Sequence, residues 1–100
     1  MNISPNNTRV YLALGSTDMR KSINTLSIVG SESMELDPLS GHMFVFCNRN
    51  RSIIKILYWD KNGFCLWMKR LEKGRYFWPH EESEIKEINF TNLRWLLDGL

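Results

Sequence analysis

Residues 41–79 read GHMFVFCNRNRSIIKILYWDKNGFCLWMKRLEKGRYFWP and contain eight of the thirteen basic residues and nine of the twelve aromatic residues of the chain. Three apolar runs lie in this stretch: Met43–Cys47, residues 53–59 and residues 64–71. They are rich in β-branched and aromatic residues, and short polar breaks separate them, as is typical of consecutive strands joined by hairpins. We therefore predict a three-strand antiparallel meander at the centre of the fold.

The two polar breaks predict how these strands pair. Residues 60–63 (DKNG) suit a type I turn followed by a glycine in the left-handed region, which is the G1-bulge hairpin. This turn sets Tyr58 opposite Leu66, and the five-residue loop 48–52 sets Phe46 opposite Ile54. One face of the predicted meander then carries a core made of Phe44, Phe46, Ile54, Ile56, Tyr58, Leu66 and Met68.

The other face of the predicted meander sets two lysines against each other. It carries Lys55 opposite Lys69, beside apolar residues that include Trp59 and Trp67. Facing like charges are destabilising, so this arrangement requires a different register, lysines that extend to water, or an anion shared between them.

The sequence pattern in the rest of the chain predicts further strands and helices that pack on this meander. We expect a flexible N-terminus at residues 1–8, followed by a single domain over residues 9–100. Further strands are predicted at residues 9–14, 75–78 and 85–90, and helices at residues 17–29, capped by Thr17, and 92–99, capped by Thr91. The prediction is an α+β fold: a mostly antiparallel sheet of four to six strands, with two helices packed on Phe44, Phe46, Ile54, Ile56 and Tyr58.

Composition excludes several classes of function. No apolar run approaches the ~20 residues of a membrane span, and the N-terminus has no signal-peptide pattern, so we expect a cytoplasmic protein. Cys47 and Cys65 fall on non-adjacent predicted strands about 9–10 Å apart, too far for a disulfide. No spacing of Cys, His, Asp, Glu or Ser indicates a metal site, a cofactor or a catalytic centre.

Charge is concentrated in the middle of the chain. Residues 49–75 contain eight basic and two acidic residues, whereas both flanking segments are net acidic. This asymmetry favours an anionic partner, although lysines and arginines at strand ends also serve solubility and protect sheet edges. Aromatic residues such as Trp59, Trp67, Tyr76 and Trp78 interleave with these cations, as in surfaces that bind phosphates and stack bases, although tryptophans more often lie in a core. The predicted nucleic-acid-binding residues are Arg49, Arg51, Lys55, Lys69, Arg70, Lys73 and Arg75.

Several motifs occur together in a recognisable order. Residues 15–21 (GSTDMRK) resemble the GxTDMRK motif of the small accessory proteins of insertion sequence 66 elements, usually called TnpB. Further matches, in order, are residues 37–41 (DPLSG), 44–46 (FVF), 48–49 (NR), 55–60 (KILYWD), Gly63, 69–75 (KRLEKGR) and 78–79 (WP). The resemblance covers residues 9–100. This chain departs from the family in its arginine run, which Asn50 and Ile53 make less dense.

The resemblance implies a role in transposition beside a separate, larger DDE-type transposase, and it supplies no catalytic residues. We expect a non-catalytic accessory protein that contacts DNA through the basic meander. One alternative is an adaptor that docks on the transposase or on another element-encoded protein, with Thr17, Asp18, Arg20 and Lys21 as the docking residues. A metal-dependent nuclease is the second alternative.

Overall fold

The computed structural model of the protein describes residues 9–17, 26, 42–79 and 85–99, in which a five-stranded sheet packs against a helix. The strands are β1 (Val10–Ser16), β2 (Met43–Cys47), β3 (Ile53–Asp60), β4 (Gly63–Arg70) and β5 (Ile85–Ile88), and the helix α1 spans Phe90–Leu97. Their order in the sheet is β4-β3-β2-β1-β5. Only β1 and β2 run parallel among these strands; the other neighbours are antiparallel. The predicted α+β class, mostly antiparallel sheet and central meander are confirmed.

The two strands outside the meander continue the sheet on its β2 side. Strand β1 lies between β2 and β5, so that Val10 pairs with Met43 on one side and with Ile88 on the other. The predicted strands near residues 9–14 and 85–90 are therefore confirmed. A parallel pair needs a crossover connection, and the 26 residues between β1 and β2 are long enough to provide one.

The predicted register of the meander is wrong by one residue. Asp60 pairs with Gly63, which leaves Lys61 and Asn62 as a two-residue loop. Lys61, and not Gly63, takes the left-handed conformation, with a φ of 51°. The β2–β3 pair differs in the same way, since Phe46 faces Lys55 and not Ile54. A slip of one residue moves every side chain of a strand to the other face relative to its neighbour.

This register divides the apolar residues between two faces of the sheet. The face that packs on α1, here called the α1 face, has a core of Val10, Leu12, Met43, Val45, Cys47, Ile54, Ile56, Tyr76, Trp78, Leu93 and Leu96. The second face has a buried cluster of Phe44, Phe46 and Leu57 with Leu26. The prediction that Phe44 and Phe46 share one face with Ile54, Ile56 and Tyr58 is therefore wrong.

Helix α1 begins two residues earlier than the sequence indicated. Its N-cap is Asn89, whose side chain accepts a hydrogen bond of 2.7 Å from the backbone N–H of Asn92, so the predicted cap Thr91 lies inside the helix. Leu93 and Leu96 are buried on the α1 face, as their spacing predicts. After the helix, Gly99 has a φ of 79°, which a glycine adopts without steric cost.

Residues 75–79 form an irregular segment, so the fourth strand predicted at residues 75–78 is wrong. Tyr76 and Trp78 are buried on the α1 face, while Arg75 and Phe77 are exposed. Buried and exposed residues therefore alternate along this segment as they would in a strand. The alternation arises because Tyr76 and Trp78 insert into the core from a segment that lies over the sheet and pairs with no described strand.

The first predicted helix falls largely outside the described residues, as does the predicted flexible N-terminus at residues 1–8. Within residues 17–29 the structure describes Thr17 and Leu26, and Leu26 is helical and buried beneath the second face. None of the helical segments among the described residues has the length and hydropathy needed to cross a membrane.

Candidate nucleic-acid interface

The β2–β3 loop, residues 48–52, is held by the side chain of Asn48. Its Oδ1 accepts hydrogen bonds from the backbone N–H groups of Ser52 (2.9 Å) and Ile53 (3.0 Å), and its Nδ2 donates to the Ser52 hydroxyl (3.1 Å). The N–H of Arg51 donates to the Asn48 carbonyl, and Arg51 takes a left-handed φ of 59°. This hydrogen bonding gives the loop that presents Arg49 and Arg51 a defined shape.

The segment that follows β4 is bonded to this loop. The N–H of Leu71 donates to the carbonyl of Ser52 over 2.8 Å, and the N–H of Tyr76 donates to the carbonyl of Arg51 over 2.7 Å. Residues 70–75 therefore lie beside residues 48–52 at one end of the sheet. We call this region the basic end and define it by its five cations, Arg49, Arg51, Arg70, Lys73 and Arg75.

The basic end carries a strong excess of positive charge. Residues 48–52 and 70–75 contain these five cations and one carboxylate, that of Glu72. Glu72 lies 3.7 Å from Arg70, but both side chains are mostly exposed, so solvent and salt screen the pair. The net positive charge at this end is therefore available to an anionic partner.

Two of the seven predicted cations lie elsewhere. Lys69 is on the α1 face, and its Nζ donates a hydrogen bond of 2.8 Å to the carbonyl of Leu97 at the C-terminus of α1. A cation at this position satisfies a terminal carbonyl and complements the helix dipole. Lys55 lies within the sheet on the second face, where it pairs with Phe46 and Met68. The predicted pairing of Lys55 with Lys69 is therefore wrong. Of the three alternatives raised by that pairing, the different register is the one found, and the two lysines do not share an anion across the strands.

Two of the aromatic residues near the basic end, Tyr76 and Trp78, lie in the core. Tyr76 is buried, and its hydroxyl donates to the carbonyl of Lys69 (3.1 Å), while burial raises its pKa. Trp78 is 6% exposed, and its Nε1 donates to the carbonyl of Leu14 (3.2 Å). Trp67 packs against the same core, and Trp59 makes an edge contact with Phe64 on the second face. Tyr76 and Trp78 are thus unavailable for stacking on bases.

The basic end includes a recess of about 190 Å³. It is lined by Leu14, Ser16, Cys47, Asn48, Arg49, Arg51 and Trp78. Strand β1 ends here, and the N–H of Thr17 donates to the carbonyl of Cys47 over 2.9 Å. The GSTDMRK motif of residues 15–21 therefore starts at the basic end. The sequence did not predict that this motif lies close to the β2–β3 loop, because their proximity depends on the parallel pairing of β1 and β2. Asp18, Arg20 and Lys21 lie outside the described residues.

Both cysteines are free thiols, as predicted, and lie on the non-adjacent strands β2 and β4. Cys47 is fully buried, and burial raises its pKa to about 11. Since the thiolate is the nucleophilic form, Cys47 is poorly suited to covalent catalysis at neutral pH. In the part of the chain that the structure describes, no three His, Cys, Asp or Glu residues are grouped in a way that could hold a metal ion.

Comparison with known proteins shows that the chain is similar to accessory proteins encoded by insertion sequences. The family described as "IS66 Orf2 like protein", which is TnpB of insertion sequence 66, matches residues 8–100. The chain belongs to this family. It is 40% identical to "Uncharacterized protein y4hO" of Sinorhizobium fredii (strain NBRC 101917 / NGR234) over 97 residues, covering 97% of this chain and 84% of that protein. It is 31% identical to "Uncharacterized protein y4jC" of the same strain over 92 residues, covering 92% and 79%. No solved structure matches the chain.

Proposed function

We propose that this protein is a non-catalytic accessory factor of transposition that contacts the DNA backbone through the basic end. The observation that carries this proposal is the pair of backbone hydrogen bonds from Leu71 to Ser52 and from Tyr76 to Arg51. They hold two cation-bearing segments, separated by a whole hairpin in the sequence, at one end of a rigid sheet. Clustered Lys and Arg side chains on a fixed scaffold are the usual means of tracking phosphates.

The burial of the aromatic residues favours phosphate contacts over base stacking. Proteins that bind single strands without sequence preference stack successive bases on exposed aromatic rings. Two of the aromatic residues adjoining the basic end, Tyr76 and Trp78, are instead buried and hydrogen-bonded to the backbone. Phe77, between them, is exposed, but it lines a different recess beside β5 and α1. We therefore propose duplex DNA as the ligand, bound through its backbone with little dependence on sequence.

The distribution of carboxylates supports a role without catalysis. Two-metal nucleases need carboxylates that converge on a rigid scaffold. At the basic end, residues 48–52 and 70–75 supply only Glu72, which lies beside Arg70. Incubating the protein and labelled element ends with Mg²⁺ or Mn²⁺ tests for nuclease activity. Cleavage that a single Asp→Asn change abolishes would support the nuclease alternative.

Neutralising the basic end should flatten the salt dependence of DNA binding. The variant with Arg49→Gln, Lys73→Gln and Arg75→Gln removes three exposed cations. If each contacts a phosphate, the slope of log affinity against log salt falls by about 0.9 per residue, or about 2.7 in total. The measurement is a fluorescence-anisotropy titration of a short duplex at several salt concentrations, with a second duplex of unrelated sequence.

The matched control for this measurement is Lys61→Gln. Lys61 is exposed in the β3–β4 loop at the other end of the sheet, about 25 Å away along β3. The Lys61→Gln variant should leave the slope of log affinity against log salt unchanged. Equal slopes for the wild-type protein, the triple variant and the control would contradict DNA contact at the basic end, provided that all three unfold at the same temperature.

A second candidate function is docking on the transposase, and exposed aromatic residues favour it. Phe77 is 87% exposed and Trp95 is 55% exposed. Both line a recess of about 210 Å³ beside β5 and α1. Exposed aromatic residues around a recess are typical anchors of protein interfaces.

Replacing both aromatic residues should separate this function from DNA binding. We expect Phe77→Ser with Trp95→Ser to reduce transposase capture from nuclease-treated extracts at least tenfold, since aromatic anchors contribute about 2 kcal/mol or more each. The triple variant of the basic end should retain capture, and the aromatic variant should retain DNA affinity. If this variant captured as much transposase as the wild-type protein, the recess lined by Phe77 and Trp95 would not be the docking site.

A further inference from the structure

The two outer strands of the sheet differ in how they are protected. Strand β5 has four residues, and Lys86 and Glu87 lie at its centre, so it is a short, charged edge. Strand β4 has eight residues, no proline, and no charged residue from Gly63 to Met68. It pairs with β3 through eight consecutive residue pairs without a bulge. Natural proteins usually protect long edges with charges, prolines or bulges, because open edges pair with other chains.

The side chains of β4 also leave apolar surface open. All five residues of β2 are buried, whereas none of the eight residues of β4 is fully buried. Met68 is 57% exposed, and Cys65, Leu66 and Trp67 are half-buried. No described strand pairs with the outer side of β4. The edge therefore offers both backbone hydrogen-bonding groups and apolar side chains.

We propose that a second copy of this chain pairs its own β4 with this edge, antiparallel and about a two-fold axis, to form one continuous sheet. The alternation along β4 supports this pairing. Phe64, Leu66 and Met68 lie on the second face, and Cys65, Trp67 and Lys69 lie on the α1 face. When the two-fold axis passes through Leu66 or Trp67, side chains of the same face meet, and Met68 packs against Phe64 or Leu66 of the other copy.

The charges of β4 fit this self-pairing. Its cations, Lys69 and Arg70, lie at one end of the strand. Antiparallel pairing about Leu66 or Trp67 sends them to opposite ends of the contact, so that Lys69 faces Gly63 or Cys65 and no cation faces another cation. A parallel pair in register would instead align Lys69 with Lys69, which is destabilising. The edge is therefore complementary to itself in the antiparallel direction.

Sedimentation equilibrium over a range of protein concentrations tests this assembly. We expect a species of twice the 11.8 kDa chain mass. Met68→Glu should raise the dimer dissociation constant by about tenfold or more, because it places a charge against apolar residues of the other copy. Within its own chain the new carboxylate faces Lys55, an opposite charge, so the variant creates no like-charge pair across β3 and β4. The control Phe77→Glu also charges an exposed apolar position, but one that lies beside β5 and α1, and it should leave the dissociation constant unchanged.

Cysteine cross-linking gives an independent test that does not depend on a destabilising charge. In a Cys65→Ser background, Leu66→Cys or Trp67→Cys places two thiols across the two-fold axis, and one of them should form a disulfide-linked dimer under mild oxidation. Cys47, which is buried, should not contribute. The proposal is wrong if the protein is monomeric at all concentrations. It is also wrong if a dimer survives Met68→Glu and cross-links at neither position.

Discussion

Replacing Trp78 by alanine should lower the free energy of unfolding by about 3–5 kcal/mol, the usual cost of removing a large aromatic side chain from a core. Trp78 is 6% exposed on the α1 face, among residues that include Leu93 and Leu96. Its Nε1 also donates to the carbonyl of Leu14, so the change removes a hydrogen bond as well as volume. Urea unfolding followed by far-UV circular dichroism measures the loss.

The neighbouring residue supplies the control. Phe77 is also aromatic but is 87% exposed, and Phe77→Ala should change stability by no more than about 0.5 kcal/mol. Trp78→Phe, which keeps most of the volume but loses the N–H, should cost about 1–2 kcal/mol. Similar losses for Trp78→Ala and Phe77→Ala would mean that Trp78 is not anchored in the core, and would restore it as a residue that could stack on a base.

Replacing Asn48 by alanine should lower the free energy of unfolding by about 2–3 kcal/mol. The change removes three side-chain hydrogen bonds and leaves the N–H groups of Ser52 and Ile53 without these partners. All five cations of the basic end remain, but the loop that carries Arg49 and Arg51 loses its defined shape. We therefore expect DNA affinity to fall severalfold while the salt slope changes little.

Asn48→Asp separates the shape of the loop from its charge. A carboxylate oxygen can still accept from Ser52 and Ile53, so stability should stay close to that of the wild-type protein. The new negative charge in the loop that carries Arg49 and Arg51 should nevertheless weaken DNA binding, most strongly at low salt. Asn62→Ala, in the loop at the opposite end of the sheet, is the control and should affect neither property. If Asn48→Ala left stability and affinity unchanged, the loop would not depend on this side chain.

The strand content of the meander could be predicted from sequence, but its register could not. Residues 60–63 (DKNG) fit two hairpins that differ by one residue, depending on whether Gly63 or Lys61 takes the left-handed conformation. Hydrophobic alternation normally decides between such registers, because one face is apolar and the other polar. Here both faces are covered, and β2 is buried at all five positions. The pattern was therefore equally compatible with either register.

The basic end was partly predictable for a related reason. Arg49, Arg51, Arg70, Lys73 and Arg75 lie in loops or at strand ends, and an antiparallel meander brings these positions together whichever register it adopts. The environments of Lys55 and Lys69 depend on the face that each occupies, so the same one-residue error misplaced them. The burial of Tyr76 and Trp78 depends on a segment that crosses the sheet without pairing, and residue spacing does not distinguish such a segment from a strand.

The place of β1 between β2 and β5 determines when the protein can fold during synthesis. The hairpins of the meander join neighbouring residues and can form soon after they leave the ribosome. Strand β1 is made earlier, but its second neighbour β5 and the helix that covers Val10 and Leu12 belong to residues 85–97. Part of the apolar surface of β1 therefore stays exposed until residues 85–97 have been synthesised. We expect folding to be completed only after synthesis of these residues, and nascent chains that stop before residue 85 to be prone to aggregation.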